Sequence, residues 1–214
     1  MKRFVKFWVS KADLPLIVLA FVYLGIYSGQ VLLPEYSPAQ ATLDLSSLVI
    51  YWIFALDLGV RLVEFATTEK SQRSLRQFLI SNAISIIALA APAFRSLRIF
   101  RLVLVLRGVM NSSIRRAERA TTLVLTSFPI VLYTSAIAVL DCERGAPNSN
   151  ITNLGDAIWW AGITMTTVGY GDLYPVTVEG RLIASGLLLS GIAILSTITA
   201  IVSRWIFGED QKTV

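Results

Sequence analysis

Histidine is missing from this chain altogether, and cysteine occurs once, at Cys142. These absences exclude His-ligated haem, ordinary zinc sites, histidine-based acid–base catalysis and any disulfide within the chain. With no metal cluster and no nucleophile motif either, an enzyme is not expected, and no cofactor is called for. Charge is scarce too: Asp, Glu, Lys and Arg make up 15% of the 214 residues, where a soluble domain carries roughly 25%. Hydrocarbon fills the difference, with 55% hydrophobic residues and a mean hydropathy of +0.65, so the expectation is a polytopic membrane protein. The net charge is +5. Its basic residues flank apolar runs or punctuate one of them, which fits membrane topology and argues against nucleic acid as a partner. Cys142 reads as a free extracellular thiol, with a disulfide between subunits as the alternative.

The apolar runs give an all-α architecture of six transmembrane helices. The first four fall at residues 14–33, 43–66, 76–91 and 94–109, each near the length that crosses a bilayer. A basic amino-terminal stretch, Lys2, Arg3, Lys6 and Lys11, precedes the first run, but no small-residue cleavage site follows it, so it does not read as a signal peptide. The loop at 34–42 holds Glu35 and no Lys or Arg, whereas Glu69, Lys70, Arg73 and Arg76 follow the second run. By the positive-inside rule the amino terminus is cytoplasmic. A basic linker helix over 110–122, with Arg115, Arg116 and Arg119, lies on the same side, and a fifth span follows at 123–140. The stretch 141–155, with Gly145, Pro147, Asn148, Ser149 and Asn150, reads as an exposed extracellular loop. Its Asn150-Ile151-Thr152 is formally a glycosylation sequon and is taken as incidental. A short helix at 156–166, with Asp156 in its first turn, precedes a sixth span at 176–207. Too few residues remain for a soluble regulatory domain, and both termini are expected in the cytoplasm of a multi-pass cell-membrane protein.

Two patterns in this scaffold carry chemistry. In the fourth span Arg95, Arg98, Arg101 and Arg107 recur at three-residue spacing, with Leu104 where a further member would fall. Charge inside a span is functional by default, and an acid in the second span, Asp57, with Phe54 and Arg61 on the same helical face, is the best counter-charge. A cationic helix lying on the anionic leaflet is the bland alternative, but the arginines run through the span instead of gathering at one end. The second pattern is Thr166-Thr167-Val168-Gly169-Tyr170-Gly171-Asp172, where glycines alternate with bulky residues after the short helix. Gly169 and Gly171 reach backbone conformations closed to other residues, so consecutive carbonyls can face one side while Val168 and Tyr170 pack away.

That stretch is identified as the signature of potassium-channel selectivity filters, whose backbone oxygens replace the ion's water shell. With the arginine series and the Phe54-Asp57-Arg61 set it resembles the voltage-gated potassium channel family of prokaryotic type; the segment from Thr166 to Leu182 also looks like the small two-helix bacterial potassium channels. The resemblance implies a voltage sensor over 1–109, a pore domain over 123–214 and a homotetramer; membrane lipids, anionic ones, are the other expected partners. It implies potassium bound at Thr167, Val168, Gly169 and Tyr170, with Gly171 closing the filter. Trp159 would donate to Asp172 and Trp160 would contact Tyr170, together cuffing the filter. Arg95, Arg98, Arg101 and Arg107 would be gating charges passing a transfer site of Phe54 and Asp57, and Gly191 would be the gating hinge, with small-residue packing an equal alternative.

This sequence departs from the family pattern in several places. Asn82 is followed by Ser85 where an acid is usual, Ser47 is neutral although Asp44 lies one turn away, and Met110 stands at an often basic position. Ile163 occupies the place of a buried glutamate behind the filter, and the sixth span lacks a Pro-Val-Pro kink. Voltage dependence is therefore expected to be shallow or shifted. The rival readings are a potassium channel with a vestigial sensor, gated by protons, lipid or nothing, and, more distantly, a secondary transporter, for which no inverted halves are visible.

Overall fold

The structure, a computed structural model, describes residues 13–34, 37–67 and 116–207. The chain forms two compact units, Met1–Gly108 and Val109–Val214. The arginines of the fourth span, the third span and the first part of the linker, 110–115, lie outside the described residues.

In the first unit, α1 runs over Asp13–Leu32 and α2 over Gln40–Thr67. A tight turn joins them, with Ser37 N bonded to Pro34 O at 2.9 Å and Gln40 N to Ser37 O at 2.9 Å. Helix α2 starts earlier than its apolar run because Leu43 N and the Thr42 hydroxyl both close onto Ala39 O. Ala20, Tyr23, Tyr27 and Val31 are buried at helical spacing on α1, and Ile50, Phe54, Asp57 and Leu58 on α2. The rings of Tyr23 and Tyr27 stack at 6.3 Å. Between helices in lipid there is no hydrophobic driving force, so van der Waals fit and polar bonds hold such a pair. Polar bonds centred on Gln30 join α1 to α2: its Nε2 donates to Asp44 Oδ1 at 2.7 Å and to Ser47 Oγ at 3.4 Å, and its backbone oxygen accepts from Gln40 Nε2 at 3.2 Å.

In the second unit, α3 (Arg116–Glu143) packs against both α4 (Leu154–Met165) and α5 (Val178–Phe207), and α4 packs against α5. Residues Ala136 to Leu140 are all fully buried. Five in a row exceed one helical turn, so this end of α3 is wrapped on every side and forms the core of the unit. Pro129 sits inside α3; it removes one backbone donor and leaves the carbonyl four residues earlier open.

The observed bounds differ from the hydropathy reading. Helix α3 is continuous from Arg116, because the good helix formers Arg116, Ala117, Glu118, Arg119 and Ala120 carry the helix beyond its apolar stretch. Helix α4 begins at Leu154, two residues before Asp156, because Asn153 is the N-cap: its Oδ1 accepts from Asp156 N at 3.0 Å and its Nδ2 donates to Asp156 Oδ2 at 2.6 Å. Helix α5 begins at Val178 because Thr177 caps it, its Oγ1 accepting from Gly180 N at 3.0 Å. By length and composition α2 and α5 are both able to cross a membrane, and both are largely uncovered in the single chain. Trp205 on α5 is 77% exposed and Leu189 71%, a quantity of bare hydrocarbon that needs lipid or further subunits around it.

Candidate functional site

The site is built on the carboxyl end of α4. Thr166 ends the helix, with its N–H and its hydroxyl both bonded to Gly162 O, and Thr167 N donates to Thr164 O at 3.1 Å. The next two amides turn back on the same helix: Val168 N and Gly169 N share Ile163 O, at 2.9 and 3.1 Å. The strand that follows is thus anchored to α4 at its base by backbone bonds, with the Thr166 hydroxyl adding to them.

Handedness then alternates along the strand. Thr167, Gly169 and Gly171 have φ of 62°, 55° and 78°, while Val168 and Tyr170 keep ordinary negative values. In a regular strand successive carbonyls point in opposite directions; reversing the handedness at every second residue turns them toward one side. The two glycines adopt this conformation without steric cost, but Thr167, with a branched Cβ, is strained there by an amount of order 1–3 kcal/mol. The sequence signalled the glycines and missed Thr167, whose conformation is imposed by the neighbouring bonds to α4.

Side chains hold the outer end. Trp159 Nε1 donates to Asp172 Oδ2 at 2.8 Å, and the Trp159 ring stacks on Tyr170 at 5.9 Å, nearly parallel. Within the single chain it is therefore Trp159 that lies against Tyr170; Trp160 is buried, 3% exposed. Tyr170 is 69% exposed and Val168 52%.

Glu143, which the sequence reading did not single out, is the polar centre of this unit. It lies past the apolar run ending at Leu140 and is fully buried. Its Oε1 accepts from Thr177 N at 2.9 Å and Thr177 Oγ1 at 2.7 Å, and its Oε2 from Val176 N at 3.1 Å. Burial pushes the carboxyl up, but the Thr177 hydroxyl, the two amides and the Ser149 hydroxyl outweigh it and hold the group below its ordinary value. The carboxylate also sits at the positive end of α5. Gly180 makes room for it, since a Cβ there would fall against Glu143 Oε1 and within 2.8 Å of Pro175 Cβ and Thr177 Oγ1. The signal in the sequence was faint: a Thr at an N-cap position with Gly180 in the following turn.

Gly191 is buried where α5 crosses the end of α4, and a Cβ would fall against the Met165 carbonyl oxygen and within 3.1 Å of its Cα. The close approach of two backbones accounts for glycine at this position. In the other unit, Phe54 and Asp57 are buried, and Arg61 Nε bonds Asp57 Oδ2 at 2.8 Å one turn along α2. Arg95, Arg98, Arg101 and Arg107 lie outside the described residues.

Residues 119–208 match the ion-channel family Ion_trans_2. The voltage-gated potassium channel of Aeropyrum pernix is 45% identical over 74 residues, 35% of this chain and 25% of that protein. Human potassium voltage-gated channel subfamily A member 7 is 36% identical over 85 residues, 39% of this chain and 18% of that protein. The calcium-gated potassium channel TvoK of Thermoplasma volcanium is 40% identical over 86 residues, 40% and 25% of the two chains. The matched segments thus span a quarter or less of these relatives. Residues 119–208, less than half of the chain, are thus similar to an ion-channel domain, and stretches of 74 to 86 residues are similar to voltage-gated and calcium-gated potassium channels.

Proposed function

We propose that the chain is one subunit of a homotetrameric, potassium-selective channel of the cell membrane, opened by voltage through residues 1–109. The observation that carries selectivity is the alternating handedness of residues 167–171, which gives one protomer a row of carbonyls with no fixed charge. Such a row replaces the hydration shell of a cation only when several copies surround it. The bare faces of Val168 and Tyr170 and the uncovered apolar length of α5 support assembly around a shared axis. The names borne by the relatives support potassium as the ion.

For gating, the arginine series is the voltage-sensing element, drawn past Phe54 and Asp57 and coupled to the pore through residues 110–122. If about three arginines per subunit cross the whole field, the work is roughly 7 kcal/mol per 100 mV, from about 2.3 kcal/mol per charge. That amount biases a two-state gate strongly even with Leu104 in the series. Anionic lipid at the basic linker would stabilise its cytoplasmic placement. A second reading, the same pore behind an idle sensor, is favoured by one observation: Asp57 is already engaged by Arg61 on its own helix.

The test is recording from the purified full chain in planar bilayers. Single-channel steps with an open probability that changes with voltage are expected, together with a cross-linked species of four subunits. Unitary currents whose open probability stays flat over a wide range of voltage would remove the sensor and leave the pore. A slow, saturating flux without unitary steps would replace the channel by a transporter.

A further inference from the structure

Beyond Gly171 the pore loop is held by very little. Among the described residues, no backbone–backbone hydrogen bond is made by residues 170–176. The hydrogen bonds they do make come from three side chains: Trp159, Glu143 and Asn150. The first two belong to the pore helix and the end of α3. The third lies in the loop between them, in the stretch the sequence marked as a sequon.

Asn150 Nδ2 donates to the backbone oxygen of Asp172 at 3.0 Å, and Asn150 Oδ1 accepts from Tyr174 N at 3.2 Å. One carboxamide thus closes a small ring with a donor and an acceptor two residues apart. Asn150 is itself fixed from behind, since Ile151 is fully buried and its amide bonds Ser149 Oγ at 3.3 Å. Asp172 is gripped at both ends, its backbone by this loop and its carboxylate by Trp159. Gly171, immediately before it, has a φ of 78° and no Cβ to resist rotation.

We infer that Asn150 is a positioning residue for conduction: its carboxamide clamps residues 172–174, and through them sets the last turn of the filter. This rests on the channel reading given above. The chemistry demands an amide. Aspartate is isosteric but has no donor and sets a carboxylate oxygen against the Asp172 carbonyl, alanine supplies neither bond, and glutamine keeps both groups one methylene further out. Loss of the clamp frees Asp172 to rotate about Gly171, which turns the outermost carbonyls away from the ion path. The pore then stops conducting while the subunits stay assembled.

The experiment compares Asn150→Ala, Asn150→Asp and Asn150→Gln with the native chain, all reconstituted as the full protein and held at an opening voltage. For the alanine and aspartate variants, decay of the potassium current is expected to be faster by roughly tenfold, the scale of one or two lost hydrogen bonds. Raised external potassium is expected to slow it, and the glutamine variant to recover part of the native rate. Elution of the assembled protein is expected to be unchanged. Native decay in Asn150→Asp would overturn the inference, because a side chain that only fills space tolerates an isostere. Hydrogen exchange at the Tyr174 amide gives a readout independent of current: it is expected to accelerate roughly tenfold in Asn150→Ala, and an unchanged rate overturns the clamp. Failure of the native chain to pass potassium defeats the proposed function instead, and the exchange measurement still decides the clamp.

Discussion

Replacing Glu143 by glutamine isolates the role of charge in holding α3 to α5, because the side chain keeps its size and one acceptor. With the remaining oxygen toward Thr177, the two bonds at 2.9 and 2.7 Å survive as neutral ones, a loss of about 1 kcal/mol each. The amide nitrogen then faces Val176 N, formerly bonded at 3.1 Å, leaving a donor against a donor at about 1–3 kcal/mol. The sum, roughly 3–5 kcal/mol per protomer, is a large part of the 5–15 kcal/mol typical of a domain. Thermal unfolding of the purified full chain in detergent is the assay, with exposed Glu179→Gln as a control expected within about 1 kcal/mol of native. The acid limb gives a second check. Since the folded carboxyl is held below its ordinary 4.5, the unfolded chain binds more protons in that window. The stabilisation is therefore complete above pH 4.5 and is lost as the pH falls through the folded value. Glu143→Gln is expected to flatten this limb. A variant within about 0.5 kcal/mol of native, with the native acid limb, would refute the reasoning.

Other perturbations follow from the same geometry. Gly191→Ala is expected to lower thermal stability by several kcal/mol, as a methyl group meets the Met165 carbonyl, whereas Gly186→Ala, with nothing within 4 Å, is expected to be neutral or mildly stabilising; intact stability with altered opening in Gly191→Ala would instead identify a hinge. Trp159→Phe keeps a ring on Tyr170 but loses the 2.8 Å bond to Asp172, so sustained current is expected to decay faster, by an amount matching about 1.5–3 kcal/mol; a native time course would count against the cuff. Joint Arg98→Gln and Arg101→Gln is expected to reduce the steepness of the voltage curve at unchanged single-channel conductance, and unchanged steepness would favour the idle sensor.

What the sequence displayed and what it hid divide along one physical line: interactions between near neighbours are legible, and those closing long loops are not. The alternation of glycine and bulky residues at 168–171 reads directly, because backbone freedom is a property of the residue itself. Helix ends read less well. The hydropathy of residues 123–140 says nothing about the polar residues through which α3 continues, and Asp156 drew attention away from Asn153, the residue that starts α4. The role of Glu143 was barely signalled because its partners lie 33 and 34 residues away, and that of Asn150 was hidden because its own lie 22 and 24 away. Gly191 was legible as a glycine but not for its reason, since only the fold brings the end of α4 against it. The resemblance through Thr166–Leu182 agrees with the ion-channel match over residues 119–208 for a similar reason: this motif is specified locally, within one short stretch.

The central claim is that the carbonyl row of residues 167–171 conducts potassium and rejects sodium. The most direct test is the reversal potential of the reconstituted native chain with potassium on one side and a tenfold dilution, made up with sodium, on the other. A potassium-selective pore predicts reversal near the potassium equilibrium value, about 59 mV from zero. Reversal at zero, with sodium carrying current as readily as potassium, would contradict it.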